Sequence, residues 1–96
     1  MAYTPVSVRN FDTIKRKLPP ALRNEVDRHV RALCDDPAQG EAKLGDLRGV
    51  HVHKFHLAGK LYLLAYWIDK QAKTITLLAL GGHENFYRDL KRYLGS

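Results

Sequence analysis

Between residues 37 and 49 the spacing of apolar side chains changes from a helical repeat to strict alternation, and that change limits what this chain can fold into. Before it, Phe11, Ile14 and Leu18 recur at helical spacing while Lys15, Arg16 and Lys17 crowd the outer side. This predicts a first helix over Phe11–Leu18 with Asn10 as its N-cap. Pro19-Pro20 ends it, and Pro20 can open a second helix. There Leu22, Val26, Val30 and Leu33 make the apolar stripe, with Arg23, Asp27, Arg28 and Arg31 on the polar side. Asp35-Asp36-Pro37 stops that helix. His29 reads as surface, and Cys34 as a small buried apolar residue. Ahead of both helices, Tyr3–Arg9 reads as a short strand with Val6 and Val8 on one face, which Pro5 confines to an edge or a strand start.

Pro37–Gly49, carrying Gly40, Gly45 and Gly49, reads as a loop. Beyond it Val50–Leu57 alternates apolar residues with basic and imidazole groups, and Ala58-Gly59-Lys60 reads as a hairpin turn. Leu61–Ile68 is apolar on both faces, as a central strand must be. Asp69–Ala72 turns the chain, Lys73–Leu80 is a third strand, and Gly81-Gly82 breaks it. His83–Leu94 then reads as a helix with Phe86, Leu90 and Leu94 on one face and Glu84–Arg88 as an i, i+4 pair. The predicted fold is α+β. It has a small antiparallel sheet, a short N-terminal strand plus a three-strand meander, with the helical hairpin and the C-terminal helix packed on one face.

With 96 residues the chain has surface enough for one core, so residues 1–96 are expected to form a single domain. A single cysteine excludes an intrachain disulfide and a four-cysteine zinc site. No apolar run approaches the ~20 residues that cross a bilayer, and residues 1–5 lack the basic start and apolar core of an export signal. A cytoplasmic protein with no membrane partner is expected. Sixteen Lys and Arg against ten Asp and Glu give a net charge of +6, which suits nucleic acid, the ribosome or an acidic protein as partner.

Particular residues carry a family resemblance. The helical hairpin, the stretch Lys43-Leu44-Gly45-Asp46-Leu47-Arg48-Gly49, the central strand with Ala65-Tyr66, and the segment Gly82–Arg92 together resemble the RelE/ParE superfamily, the small toxins of bacterial type II toxin–antitoxin modules. The resemblance covers nearly the whole chain. It implies one of two activities: RelE-like members cut mRNA on the ribosome, whereas ParE-like members poison DNA gyrase without chemistry of their own. Fold alone does not choose between them. A cognate acidic antitoxin is the implied partner, with a member kept only as an antitoxin-binding co-repressor as a further alternative.

Metal-free RNA cleavage needs a base for the 2′-hydroxyl proton, cations for the phosphate and an acid for the leaving 5′-oxygen, and it leaves a 2′,3′-cyclic phosphate. By the resemblance, Lys54 and His56 fall on the strand positions of the family's paired lysines, His83 about where a catalytic arginine stands, and Tyr87 near a catalytic tyrosine. Being two apart, Lys54 and His56 share a strand face, with Phe55 and Leu57 on the core side. If a helix starts at His83, then His83 and Tyr87 share one face of it. Leu63 stands where the family presents an arginine, so one phosphate-binding cation is missing. Arg48, Lys60, Arg88 and Lys91 are the candidate RNA-backbone contacts. Imidazole titrates near neutral pH, so histidines in these places can serve as base and acid. His51-x-His53-x-x-His56 has the look of a metal cluster, but His56 points away from the other two on a regular strand. No metal and no cofactor is expected.

Overall fold

The structure, a computed structural model, describes residues 3–95. Strand β1 (Thr4–Ser7) leads into helices α1 (Arg9–Arg16) and α2 (Pro20–Asp35). A two-residue strand β2 (Glu41–Ala42) precedes β3 (Val50–Leu57), β4 (Lys60–Asp69) and β5 (Thr74–Gly82), and helix α3 (Phe86–Gly95) follows. The sheet order is β1-β5-β4-β3-β2. The expected order of elements is present, and Pro5 sits in an edge strand as its missing N–H requires. Two features differ from expectation. β1 pairs parallel to β5, so the sheet is mixed, and β2 adds a fifth strand inside the segment read as loop.

Asn10 does not cap α1. The helix begins at Arg9 behind Val8, with no side-chain cap. Asn10 Nδ2 instead donates to the carbonyl of Leu78 at 3.0 Å. The register between β4 and β5 pairs Ala65 with Ala79 but Tyr66 with Leu77, so Leu78 is the extra residue of a β-bulge. A bulge leaves backbone groups without a ladder partner, and the asparagine amide supplies one. The β3–β4 hairpin turns through Ala58 and Gly59, both at positive φ, which gives the two strands their right-handed twist. At the β4–β5 turn Asp69 Oδ1 accepts from the backbone N–H groups of Gln71 and Ala72.

The helices do not share one face of the sheet. Phe11 of α1 and Val26, Val30 and Leu33 of α2 pack on Phe55, Leu57, Leu64, Tyr66 and Ile75. Phe86 and Leu90 of α3 pack with Leu47 on the opposite face, over Val50, Val52, Leu63 and Ala65. A central strand that is apolar on both sides needs cover on both, and α3 provides the second layer. Along β3 the buried set shifts by one residue between Val52 and Phe55: Val50 and Val52 face α3, while Phe55 and Leu57 face the helical hairpin.

β2 is held in place from the core. Tyr66, fully buried, donates its hydroxyl to the Pro37 carbonyl at 2.6 Å and accepts from the Gly40 N–H at 3.1 Å. Burial pushes its phenol pKa up, so it remains a donor. A β-carbon at Gly40 would run into the Tyr66 hydroxyl, which accounts for a glycine there. Tyr66→Phe leaves both backbone groups without this partner and is expected to lower stability by about 1–3 kcal/mol, read by urea unfolding.

His29 is not plain surface. Its Nδ1 lies 3.1 Å from His53 Nε2, and its ring stacks on Phe55 with 4.2 Å between centroids. The polar side of α2 thus closes against β3 at this point. Burial pushes both imidazole pKa values down, with Glu25 raising and Arg28 lowering that of His29, and His29 lowering that of His53. One ring nitrogen must accept from the other, which two protonated rings cannot do. Because the folded pKa values lie below the unfolded ones, the unfolded chain binds more protons below about pH 6.5. The stabilisation is therefore full above that pH and is lost as pH falls. The thermal midpoint should drop between about pH 7 and pH 5, and His53→Phe should flatten the drop.

Candidate functional site

The site is built where α3 stops covering the sheet. Lys54 pairs with Leu63, and Leu63 pairs with Gly81, so these three lie in one row on the α3 face. Phe86, the first residue of α3, stands over Gly81, with its ring 3.5 Å from where a β-carbon would lie. The next row, His56 with Leu61, lies outside the cluster of described residues that packs with α3. Lys54 and His56 are accordingly exposed on one face of β3, with Phe55 and Leu57 buried behind them, as the alternation implies.

His83 emerges on the far side of the same open end. β5 is not broken by Gly81-Gly82 but pairs with β4 through Gly82. His83 lies in the bend beyond it, its carbonyl accepting from the Phe86 N–H at 3.5 Å. Asn85, in the left-handed region at φ 64°, turns the chain into the helix. Since α3 starts at Phe86, His83 is not a helical neighbour of Tyr87, and the i, i+4 relation expected of them does not exist. Glu84 likewise precedes the helix, and Arg88 Nε lies 3.6 Å from Asp89 Oδ1 instead.

Tyr87 is half-buried between α3 and the edge of the sheet. Its hydroxyl is buried without a hydrogen-bond partner among the described residues. The Lys43 ammonium lies over the ring, 4.9 Å from its centroid. Lys43 Nζ also donates to Glu41 Oε1 at 2.8 Å. That hydrogen bond, foremost, raises the lysine pKa and lowers that of Glu41, whose carboxylate is also held down by the charge of Lys54. From sequence, Lys43 belongs only to the family-like stretch Lys43–Gly49, and neither it nor Glu41 has a site role there. The readable signal was Glu41-x-Lys43, two charges on one face of an extended segment directly after Gly40, but the surrounding glycines read as loop.

The remaining candidates are scattered. Lys91 is exposed one turn along α3 from Tyr87, and Arg88 is exposed beside it. Arg48 is exposed in the turn ahead of β3, at the opposite end of that strand from His56. Lys60 pairs with Leu57 and so takes the face of the helical hairpin, away from Lys54. His51 and His53 share that other face, and His56 does not join them. Among the described residues no three His, Cys, Asp or Glu side chains converge to hold a metal ion. Among them, too, no helix is long and apolar enough to cross a membrane.

Comparison with known proteins adds a family and a fold. The family described as the ParE-like toxin of type II bacterial toxin–antitoxin systems matches residues 6–91. A free-state variant of the Escherichia coli toxin RelE superposes with a TM-score of 0.76 at 18% identity, covering 98% of this chain and 99% of that one. The toxin–antitoxin complex RelBE2 of Mycobacterium tuberculosis contains a chain with a TM-score of 0.76 at 22% identity, covering 86% of this chain and 100% of the other. The intact E. coli RelBE complex gives 0.71 at 19% identity, with 86% and 99% covered. At these identities the likeness is one of fold. No curated protein matches the chain by sequence.

Proposed function

This chain belongs to the ParE-like toxins of type II bacterial toxin–antitoxin systems, and on that premise we propose that it acts as a ribosome-dependent mRNA endonuclease. The observation that carries the reading is the exposed end of the sheet, where Lys54 and His56 of β3 face outward and the bend that holds His83 follows β5 on the other side of β4. In this reading His56 takes the proton of a 2′-hydroxyl, whose oxygen attacks the adjacent phosphorus. Lys54 offsets the charge that builds on the phosphate, and His83 gives a proton to the departing 5′-oxygen. The products are a 2′,3′-cyclic phosphate and a 5′-hydroxyl, with no metal in any step. Tyr87 orients the groups that meet the RNA, and Arg88 and Lys91 contact its backbone, with Arg48 and Lys60 as outlying cations.

One observation favours a second reading. Leu63, between Lys54 and Gly81, is fully buried where the family resemblance implies an arginine. A site short of a cation suits inhibition by occupancy, with DNA gyrase as target. The E. coli and M. tuberculosis relatives were solved as complexes with an antitoxin. By analogy, an acidic antitoxin encoded beside this chain is its partner, and the net charge of +6 suits an acidic segment that folds on binding.

Induced expression should halt growth with cut mRNA on ribosomes. His56→Ala and His83→Ala should each slow cleavage by about 10²–10⁴-fold, the usual contribution of a general base or acid. A double variant that still arrests growth fully, with loss of DNA supercoiling activity in extracts, would replace the nuclease reading with the gyrase one. Co-expression with the neighbouring reading frame should yield a stable complex on purification and restore growth.

A further inference from the structure

We propose that Lys43 is a phosphate-binding cation of the cleavage site and that Tyr87 is its positioning residue, its ring fixing the ammonium rather than meeting the RNA. The proposal rests on the nuclease reading and adds a residue to it.

The backbone decides where Lys43 points. Glu41 pairs with Val52 and Ala42 with His51, and the Lys43 N–H donates to the Val50 carbonyl at 2.9 Å, extending that register by one residue. Residues paired across a ladder share a face. Glu41 and Lys43 therefore leave the sheet on the side of Val52 and Val50, which is the side of Lys54 and α3. On this face Leu63 occupies the position where the family resemblance implies a cation, and Lys43, across from Val50 and two rows along from Lys54, adds one from the edge strand.

The side chains make a cradle for one anion. Lys43 Nζ is held by Glu41 Oε1 at 2.8 Å on one side and by the face of Tyr87 on another. Lys43 keeps 21% of its side-chain surface and Glu41 61%, so the cation is anchored while its counter-ion stays loose. The Glu41 carboxylate also feels the charge of Lys54. One ammonium thus holds this exposed carboxylate, and a second acts on it through its charge. A phosphodiester carries the same single charge and further acceptor oxygens, so it can displace the Glu41 carboxylate from Lys43 at little cost in desolvation.

Tyr87 is placed to hold the lysine and badly placed to touch RNA. The hydroxyl is buried without a hydrogen-bond partner among the described residues, and the side chain acts instead on Lys43, whose pKa it helps Glu41 to raise. One ring face lies under Lys43, and Phe86 meets the ring edge-on at 5.5 Å between centroids. What remains useful is the ring's negative face, which attracts a cation. Loss of the ring should then cost more than loss of the hydroxyl alone.

The test is single-turnover cleavage of mRNA on purified ribosomes, at several salt concentrations, by the wild-type chain, Lys43→Met, Lys43→Arg, Tyr87→Phe, Tyr87→Leu and the double variant Tyr87→Leu/Lys43→Met. Lys43→Met should slow cleavage by about 10²-fold, as loss of one preorganised charge does. It should also lower the salt slope of half-saturation by about 0.7, the share of one phosphate contact on a single strand. Lys43→Arg should restore most of the rate, and Tyr87→Phe, which keeps the ring face under the ammonium, should lose far less than Tyr87→Leu. Tyr87→Leu should resemble Lys43→Met, and the double variant should lose no more than either. If wild type cuts mRNA and Lys43→Met cuts equally well with the same salt slope, Lys43 is not the cation. If Tyr87→Phe is as damaged as Tyr87→Leu, the hydroxyl acts directly and the positioning role is wrong. A wild-type protein that leaves ribosome-bound mRNA intact overturns the nuclease reading itself.

Discussion

β4 is buried on both of its faces, and most of the molecule follows from that burial. Leu63 and Ala65 look one way and Leu64 and Tyr66 the other, all of them fully buried. A strand of this kind must be central and must be covered by a layer on each side. The helical hairpin supplies one layer at full length. Among the described residues α3 and the turn around Leu47, joined by Val8, form the other, and they cover the sheet as far as the row of Leu63 and Gly81. Beyond that row the α3 face lies open. The open end is thus a consequence of unequal cover, two helices on one side and a ten-residue helix on the other.

The core reaches the site through Tyr66. Its ring is packed under the helical hairpin, yet its hydroxyl holds Pro37 and Gly40 and so sets where the chain enters β2. That entry fixes the register of Glu41 and Ala42 on β3, which in turn carries Lys43 to the α3 face. A buried hydroxyl with one donor and one acceptor partner is directional in a way that an apolar contact is not. A single polar group in the core therefore positions a two-residue strand that could not persist by its own pairing.

The histidines divide between the two faces by the parity of β3. Odd positions His51 and His53 turn to the helical hairpin, where burial keeps them neutral and one pairs with His29. Even position His56 turns outward beside Lys54. The same residue type thus serves packing on one face and stands in solvent on the other. No three of them gather as a metal site would need among the described residues.

The sequence by itself determined the longer elements, though not β2 or the start of α3, and the face that Lys54 and His56 take. Helical and alternating apolar repeats are local, and each states its own period without reference to the rest of the chain. The family resemblance then pointed to residues at sequence positions. What only the tertiary structure decided was anything set by contact between distant segments: the parallel pairing of β1 with β5, the amide of Asn10 turned to the bulge at Leu78, and His29 closed against His53. It also decided that α3 lies on the opposite face from the hairpin and begins at Phe86, so that His83 stands in a bend ahead of the helix that carries Tyr87. Lys43 and Glu41 belong to the same class. Their segment carries too few apolar residues to show a period, and its place is given by a tyrosine 26 positions after Gly40, whose hydroxyl no pattern of hydrophobicity records.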